Sequence, residues 1–181
     1  MIAIAAAQLG IRSVVFAPDA AGSPAADVAH AIITAPYDDK AALDAFALQA
    51  DAVVTEFENV PADTMAYLGQ SALVCPGADA LRVAQNRIAE KTLARELGIG
   101  VPDFWAVTSA DELADALVAL SGRGIVKTTT LGYDGKGQMR LKQASDMPAA
   151  WQAMAGSASV LEGFIDFSHE VSVIAARASD G

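Results

Sequence analysis

Cysteine occurs once in these 181 residues, at Cys75. One thiol closes no intrachain disulfide and builds no cysteine metal cluster. A reducing, cytoplasmic setting is therefore expected, with Cys75 a buried small hydrophobe on a strand. Basic residues are also scarce: 12 Lys and Arg stand against 22 Asp and Glu, a net charge of −10. A phosphate-backbone footprint needs many cations, so nucleic-acid binding is excluded. Long apolar runs are lacking too, although 53% of the residues are hydrophobic. Forty of the 181 are Ala, which explains that share. No stretch approaches the ~18 apolar residues a membrane helix requires, so no membrane partner is expected. The opening MIAIAAAQLGIRS has no basic n-region and reads poorly as a signal peptide. There is no internal repeat and no low-complexity tract.

The few cations are unevenly placed. Residues 1–80 hold 10 acids and 2 bases, whereas residues 81–181 hold 12 acids and 10 bases. Nine of those 10 fall in two clusters, Arg82, Arg87, Lys91 and Arg95, then Arg123, Lys127, Lys136, Arg140 and Lys142. An acidic protein that concentrates its cations can hold a small anion there. Counting alone is equally met by solvated helix faces.

Periodicity and punctuation predict an α/β chain. Residues 1–9 read as a helix ending at Gly10. Strands are expected over 13–16, 29–34, 52–55 and 72–75. Helices are expected over 39–50 and from Pro61 to about Leu68. Strands alternating with helices imply a parallel sheet. The pattern opens on a helix, as though a first strand and its glycine-rich loop were missing. Residues 78–98 form a polar helical connector. After it come a strand at 104–107 and a capping box, Ser109-x-x-Glu112, opening a helix that lines up Leu113, Leu117 and Leu120. Strands follow at 124–127 and 139–141, a helix at 146–154, and strands at 159–164 and 170–177. This second half is α+β. The expected divisions are a Rossmann-like N-terminal domain (1–77), a helical connector (78–107) and an α+β domain (108–181).

Three stretches carry chemistry. In KTTTLGYDGKGQ (127–138) a strand delivers Lys127 at its end. Gly132, Gly135 and Gly137 then surround Tyr133, Asp134 and Lys136. Glycines let backbone N–H groups close on an anion, and Lys127 and Lys136 add charge. The Walker pattern G-x-x-x-x-G-K-[ST] is absent, so this is a strand–loop–strand phosphate flap. A flexible glycine hairpin with surface lysines has the same spacing. In LEGFI (161–165), an exposed strand edge at Glu162 and Phe164 can offer backbone groups to a base, and Glu170 can accept from ribose hydroxyls. An ordinary edge strand with surface acids fits equally. TEFENVP (55–61) follows a strand at the carboxyl end of a sheet, where open α/β folds bind ligands. Its two acids suit a polyol or amine, or simply a helix start. His30 is read as structural within its strand, Phe167-Ser168-His169 as a turn, and Trp105 and Trp151 as packing.

In order along the chain, TEFENVP (55–61), QNRIAEKTLARELGI (85–99), KTTTLGYDGKGQ (127–138) and LEGFIDFSHEVSV (161–173) resemble the N5-carboxyaminoimidazole ribonucleotide synthases, ATP-grasp carboxylases of purine biosynthesis. The resemblance covers essentially the whole chain. It implies an ATP-grasp type fold: a truncated Rossmann-like (biotin-carboxylase-N-type) parallel sheet, then a partial α+β ATP-grasp domain. It implies ATP and Mg2+ as cofactors, and bicarbonate and 5-aminoimidazole ribonucleotide as substrates, in a homodimeric parent enzyme. By motif, Arg82 and Lys127 match ATP-phosphate contacts. Gly132, Tyr133, Asp134, Gly135, Lys136, Gly137 and Gln138 match the flap over the ATP. Glu162, Gly163, Phe164 and Ile165 match the adenine strand, and Glu170 the ribose ligand. Tyr133, Asp134 and Lys136 match positions near the aminoimidazole substrate, Asp134 being the catalytic candidate for proton handling. Glu56, rather than Glu58, matches a ribonucleotide contact.

Three departures qualify the resemblance. The family begins with a further strand and glycine-rich loop. It also continues past Gly181 with the metal ligands, so no metal ligand is expected in this chain, and the 181 residues alone are expected to lack carboxylase activity. Finally, it shows arginines where Thr128 and Thr129 stand. Two alternatives are another ATP-grasp ligase, such as a formate-dependent glycinamide ribonucleotide transformylase, and a non-catalytic ATP-binding fragment.

Overall fold

A computed structural model describes residues 1–131 and 137–177. The chain divides into two compact units, Met1–Ile99 and Gly100–Gly181. The division falls inside the stretch expected to be a connector.

In the first unit, α1 (Ile2–Gln8) is Ala-rich, and Gly10 follows it at φ 74°, a conformation glycine adopts without strain. Strands β1 (Val14–Ala17) and β2 (Ala31–Thr34) pair in parallel. Asp39 caps α2 (Lys40–Ala47), its carboxylate accepting from the Ala42 N–H at 3.0 Å. Strands β3 (Ala52–Val54) and β4 (Leu73–Cys75) form a second parallel pair. Between them α3 (Ala62–Leu68) starts directly after Pro61, which serves as its N-cap. Thr64 on α3 donates to the Tyr37 carbonyl at 2.8 Å. The strands are parallel, as expected, but they fall into two pairs rather than one ladder. Both pairs pack on one apolar cluster. Leu43, Phe46, Val53, Val60, Met65, Leu68 and Leu81 are buried there, with Val14, Phe16 and Ile33 against them. Cys75 is exposed, against expectation. Side chains alternate along a strand, so Val74 turns to the cluster and its neighbours Leu73 and Cys75 turn away.

The polar run after β4 is two helices, α4 (Ala78–Ala84) and α5 (Arg87–Glu96). The break lies at Gln85-Asn86. Asn86 accepts from the Ile88 and Ala89 N–H groups at 3.0 and 3.1 Å, which starts a new helix. His30 is exposed just ahead of β2 and hydrogen-bonds Arg12, so the strand expected from residue 29 begins two residues later.

The second unit is a sheet layer with a helix layer on it. β5 (Phe104–Val107), β6 (Gly124–Thr128), β7 (Gln138–Leu141) and β8 (Ser159–Glu162) form an antiparallel sheet ordered β5-β8-β6-β7. Helices α6 (Ala110–Ala119) and α7 (Met147–Ala153) lie against one face. That face buries Val107, Val126, Leu141 and Leu161 with Leu113, Ala116 and Leu117 of α6 and Ala150 of α7. Trp105 and Trp151 pack on the same cluster, as expected. Ser109 caps α6 by accepting from the Glu112 N–H at 3.1 Å. The Glu112 carboxylate returns to Thr108, accepting from its N–H at 2.6 Å and its hydroxyl at 2.8 Å.

The strand expected over 170–177 is not formed. Residues 163–177 make no sheet, and Val171, Val173 and Ile174 are 82, 85 and 99% exposed. Apolar alternation alone does not make a strand. It needs a neighbouring backbone to pair with, and no described segment lies alongside.

Candidate functional site

Alternation along β6 and β8 sorts their side chains between the two sheet faces. Val126 and Leu161 enter the core beneath α6 and α7. Ile125 and Lys127, with Val160 and Glu162 opposite them, therefore share the other face. There the Lys127 ammonium donates to a Glu162 carboxylate oxygen at 3.0 Å. The Glu162 side chain is only 6% exposed and that of Lys127 24%. Burying a carboxylate this far from water is costly unless it is paired, and Lys127 supplies the pairing charge. The expected exposed strand edge at Glu162 is therefore corrected. β8 is an interior strand, with Glu162 opposite Phe104 on one side and Ile125 on the other. The chain leaves the ladder only at Gly163, whose N–H donates to the Asp103 carbonyl at 2.9 Å.

Beyond that exit a concavity of about 350 Å3 opens beside Gly163, Phe164 and Ile165. Arg123 lies on its wall with its guanidinium 5.6 Å over the Phe164 ring. The concavity thus joins an aromatic face, a cation and the backbone of the expected adenine strand. Glu170 lies exposed on the irregular stretch after it.

The root of the expected flap is built from threonines. Thr128 takes the Gly137 carbonyl on its N–H at 2.9 Å and donates its hydroxyl to the Thr130 carbonyl at 2.8 Å. Gly137 has φ 66°, and a Cβ there would sit 2.9 Å from the Thr128 hydroxyl oxygen. Only glycine suits that position. Thr129 is buried, and both its N–H and its hydroxyl donate to the Ala158 carbonyl, at 2.9 and 3.1 Å. Thr128 and Thr129 thus tie backbone together and add no charge at the root of the connection. Gln138 begins β7 opposite Lys127. Gly132, Tyr133, Asp134, Gly135 and Lys136 lie outside the described residues.

The first unit carries the other candidates. Arg82, half-exposed on α4, donates to Asp79 at 2.7 Å and to Asp63 at 2.9 Å. These two bonds hold its guanidinium above the usual pKa. Glu56 is exposed in the connection between β3 and α3, and Glu58 likewise. Gln85, which its sequence context does not single out, donates its amide to the Glu58 and Val60 carbonyls at 2.6 Å each. The one available signal was a glutamine closing a helix immediately before an Asn cap. Among the described residues no three His, Cys, Asp or Glu side chains converge on a metal position.

An antiparallel sheet with helices on one face, and a lysine–carboxylate pair on the other at the root of a glycine-rich connection, is the arrangement expected of the ATP-grasp class. Consistent with it, residues 92–181 match the ATP-grasp domain and residues 1–85 the ribonucleotide synthetase preATP-grasp domain. The chain is 44% identical over 183 residues to an N5-carboxyaminoimidazole ribonucleotide synthase of Brucella melitensis, and 42% identical to that of Pseudomonas aeruginosa. Each alignment takes in 100% of this chain and 50% of the relative. The solved N5-carboxyaminoimidazole synthetase of Staphylococcus aureus, complexed with ADP, superposes with a TM-score of 0.86 at 32% identity. That match covers 91% of this chain and 44% of the other. The chain belongs to the N5-carboxyaminoimidazole ribonucleotide synthase family, and spans about half the length of the relatives it matches.

Proposed function

We propose that the protein takes part in the ATP-dependent carboxylation of 5-aminoimidazole ribonucleotide in purine biosynthesis. A bicarbonate oxygen attacks the γ-phosphorus of ATP, and ADP leaves. The exocyclic amine of the ribonucleotide then bonds to the carboxyl carbon, phosphate departs, and the amine gives up a proton. The observation that carries this reading is the Lys127–Glu162 pair at the root of the glycine-rich connection. It places an ammonium group, still 24% exposed, on the sheet face opposite α6 and α7.

In this reading Lys127 and Arg82 neutralise the polyphosphate. The glycine-rich run from Gly132 to Gln138 covers it and keeps water from a labile carboxyphosphate. Gly163 to Ile165 receive the adenine beside the concavity, and Glu170 the ribose. Asp134 takes the proton released by the amine, with Tyr133 and Lys136 beside it. Glu56 contacts the ribonucleotide. Mg2+ supplies further charge neutralisation at the polyphosphate when bound. The parent enzyme works as a cytoplasmic homodimer. In the described residues no helix is long and apolar enough to cross a membrane. The relatives at 42–44% identity carry the synthase name, which disfavours the transformylase alternative.

Calorimetric titration tests the proposal. Wild-type protein is expected to bind Mg-ADP and 5-aminoimidazole ribonucleotide. Lys127→Met is expected to lose the nucleotide and Glu56→Gln to weaken the ribonucleotide about tenfold, the worth of one charge-assisted hydrogen bond. Wild-type protein that binds neither ligand overturns the reading.

A further inference from the structure

The connection between β3 and α3 carries Glu56, and a side chain from another helix fastens it. The Val60 N–H closes a turn on the Phe57 carbonyl, and the Val60 side chain is buried in the apolar cluster. Both amide protons of Gln85 then reach across from the end of α4, to the carbonyls of Glu58 and Val60. These partners settle the amide's orientation. Carbonyl oxygens only accept, so the Gln85 nitrogen, not its oxygen, must face them. The same short helix carries Arg82, which reaches Asp63 on α3. Helix α4 is thus fastened on both sides of Pro61, by Gln85 before it and by Arg82 after it.

We infer that Gln85 is a positioning residue: its amide sets the connection that presents Glu56 to the ribonucleotide. This rests on the reading of Glu56 given above. Gln85 touches only backbone carbonyls and has no bond to Glu56 itself. It acts by fixing the path of the chain two to four residues downstream. A hydrocarbon at this position leaves two carbonyls without their donor. A carboxylate sets negative charge against them, in a connection that already carries Glu56 and Glu58.

The test compares Gln85→Leu, Gln85→Glu and Gln85→Lys in the full 181-residue chain, by hydrogen exchange and calorimetry. Amide exchange over residues 56–60 is expected to accelerate about tenfold in Q85L and more in Q85E, following the loss of a net hydrogen bond. It should return towards wild type in Q85K, which keeps a donor. Ribonucleotide affinity should fall in the same order, with Mg-ADP affinity within twofold of wild type. A general loss of fold would weaken both ligands and would not be rescued by lysine. Unchanged exchange over 56–60 in Q85L and Q85E overturns the inference. So does faster exchange with undiminished ribonucleotide binding. Wild-type protein that binds no ribonucleotide sinks the functional reading instead, and the exchange measurement then still decides whether Gln85 fixes the connection.

Discussion

At Lys127 and Glu162, stability and the proposed nucleotide binding rest on the same pair. Replacing Lys127 with Met leaves a carboxylate with 6% exposure facing a hydrocarbon. Urea unfolding is expected to show a loss of about 1–3 kcal/mol, because a buried acceptor loses its charged donor. Adding Glu162→Gln should recover part of that loss without restoring nucleotide binding. Glu112 makes a different kind of prediction. Its bonds from the Thr108 N–H and hydroxyl hold its carboxyl below the ordinary 4.5. A lowered folded-state value means stability that is present above the unfolded value and lost as pH falls through the folded one. Thermal melts of Glu112→Gln should therefore lie a few degrees below wild type at pH 7. The two should converge in acid well below pH 4, and a constant gap across that range would refute the assignment.

Among the elements, close contact between strands leaves little tolerance. A Cβ at Gly124 would sit 2.9 Å from a Leu161 methyl and 3.0 Å from the Glu162 carbonyl. Gly124→Ala should cost about 1–3 kcal/mol in urea unfolding, the range for overpacking a filled core. The elements that were legible in the sequence are those with local punctuation. Asp39, Pro61 and Ser109 mark the starts of α2, α3 and α6 through bonds within one turn. The elements that were misread depend on distant partners. Glu170–Arg177 has the alternation of a strand but no described backbone to pair with. Glu162 looked like an edge acid because nothing in its own neighbourhood shows that β5 and β6 flank it. The α4–α5 break was local, at Asn86, yet it was hidden in a run whose composition is uniformly helical.

The whole molecule carries a net charge of −10 and a sequence pI near 4.4. Solubility should pass through a minimum near that pH, since mutual repulsion vanishes there, and turbidity against pH would show it. The two cation clusters were visible from counting. What counting could not separate was a solvated arginine from one held by partners, as Arg82 is by Asp63 and Asp79. Nor could it find Gln85, which is uncharged and whose role appears only when α4 is set beside the β3–α3 connection. Cys75 offers a practical return. It is the chain's single thiol, it is exposed, and it lies three residues ahead of the helix that bears Arg82 and ends at Gln85. A maleimide fluorophore attached there labels one site without any mutation, so its emission can report movement of α4 against the β3–α3 connection in wild-type sequence.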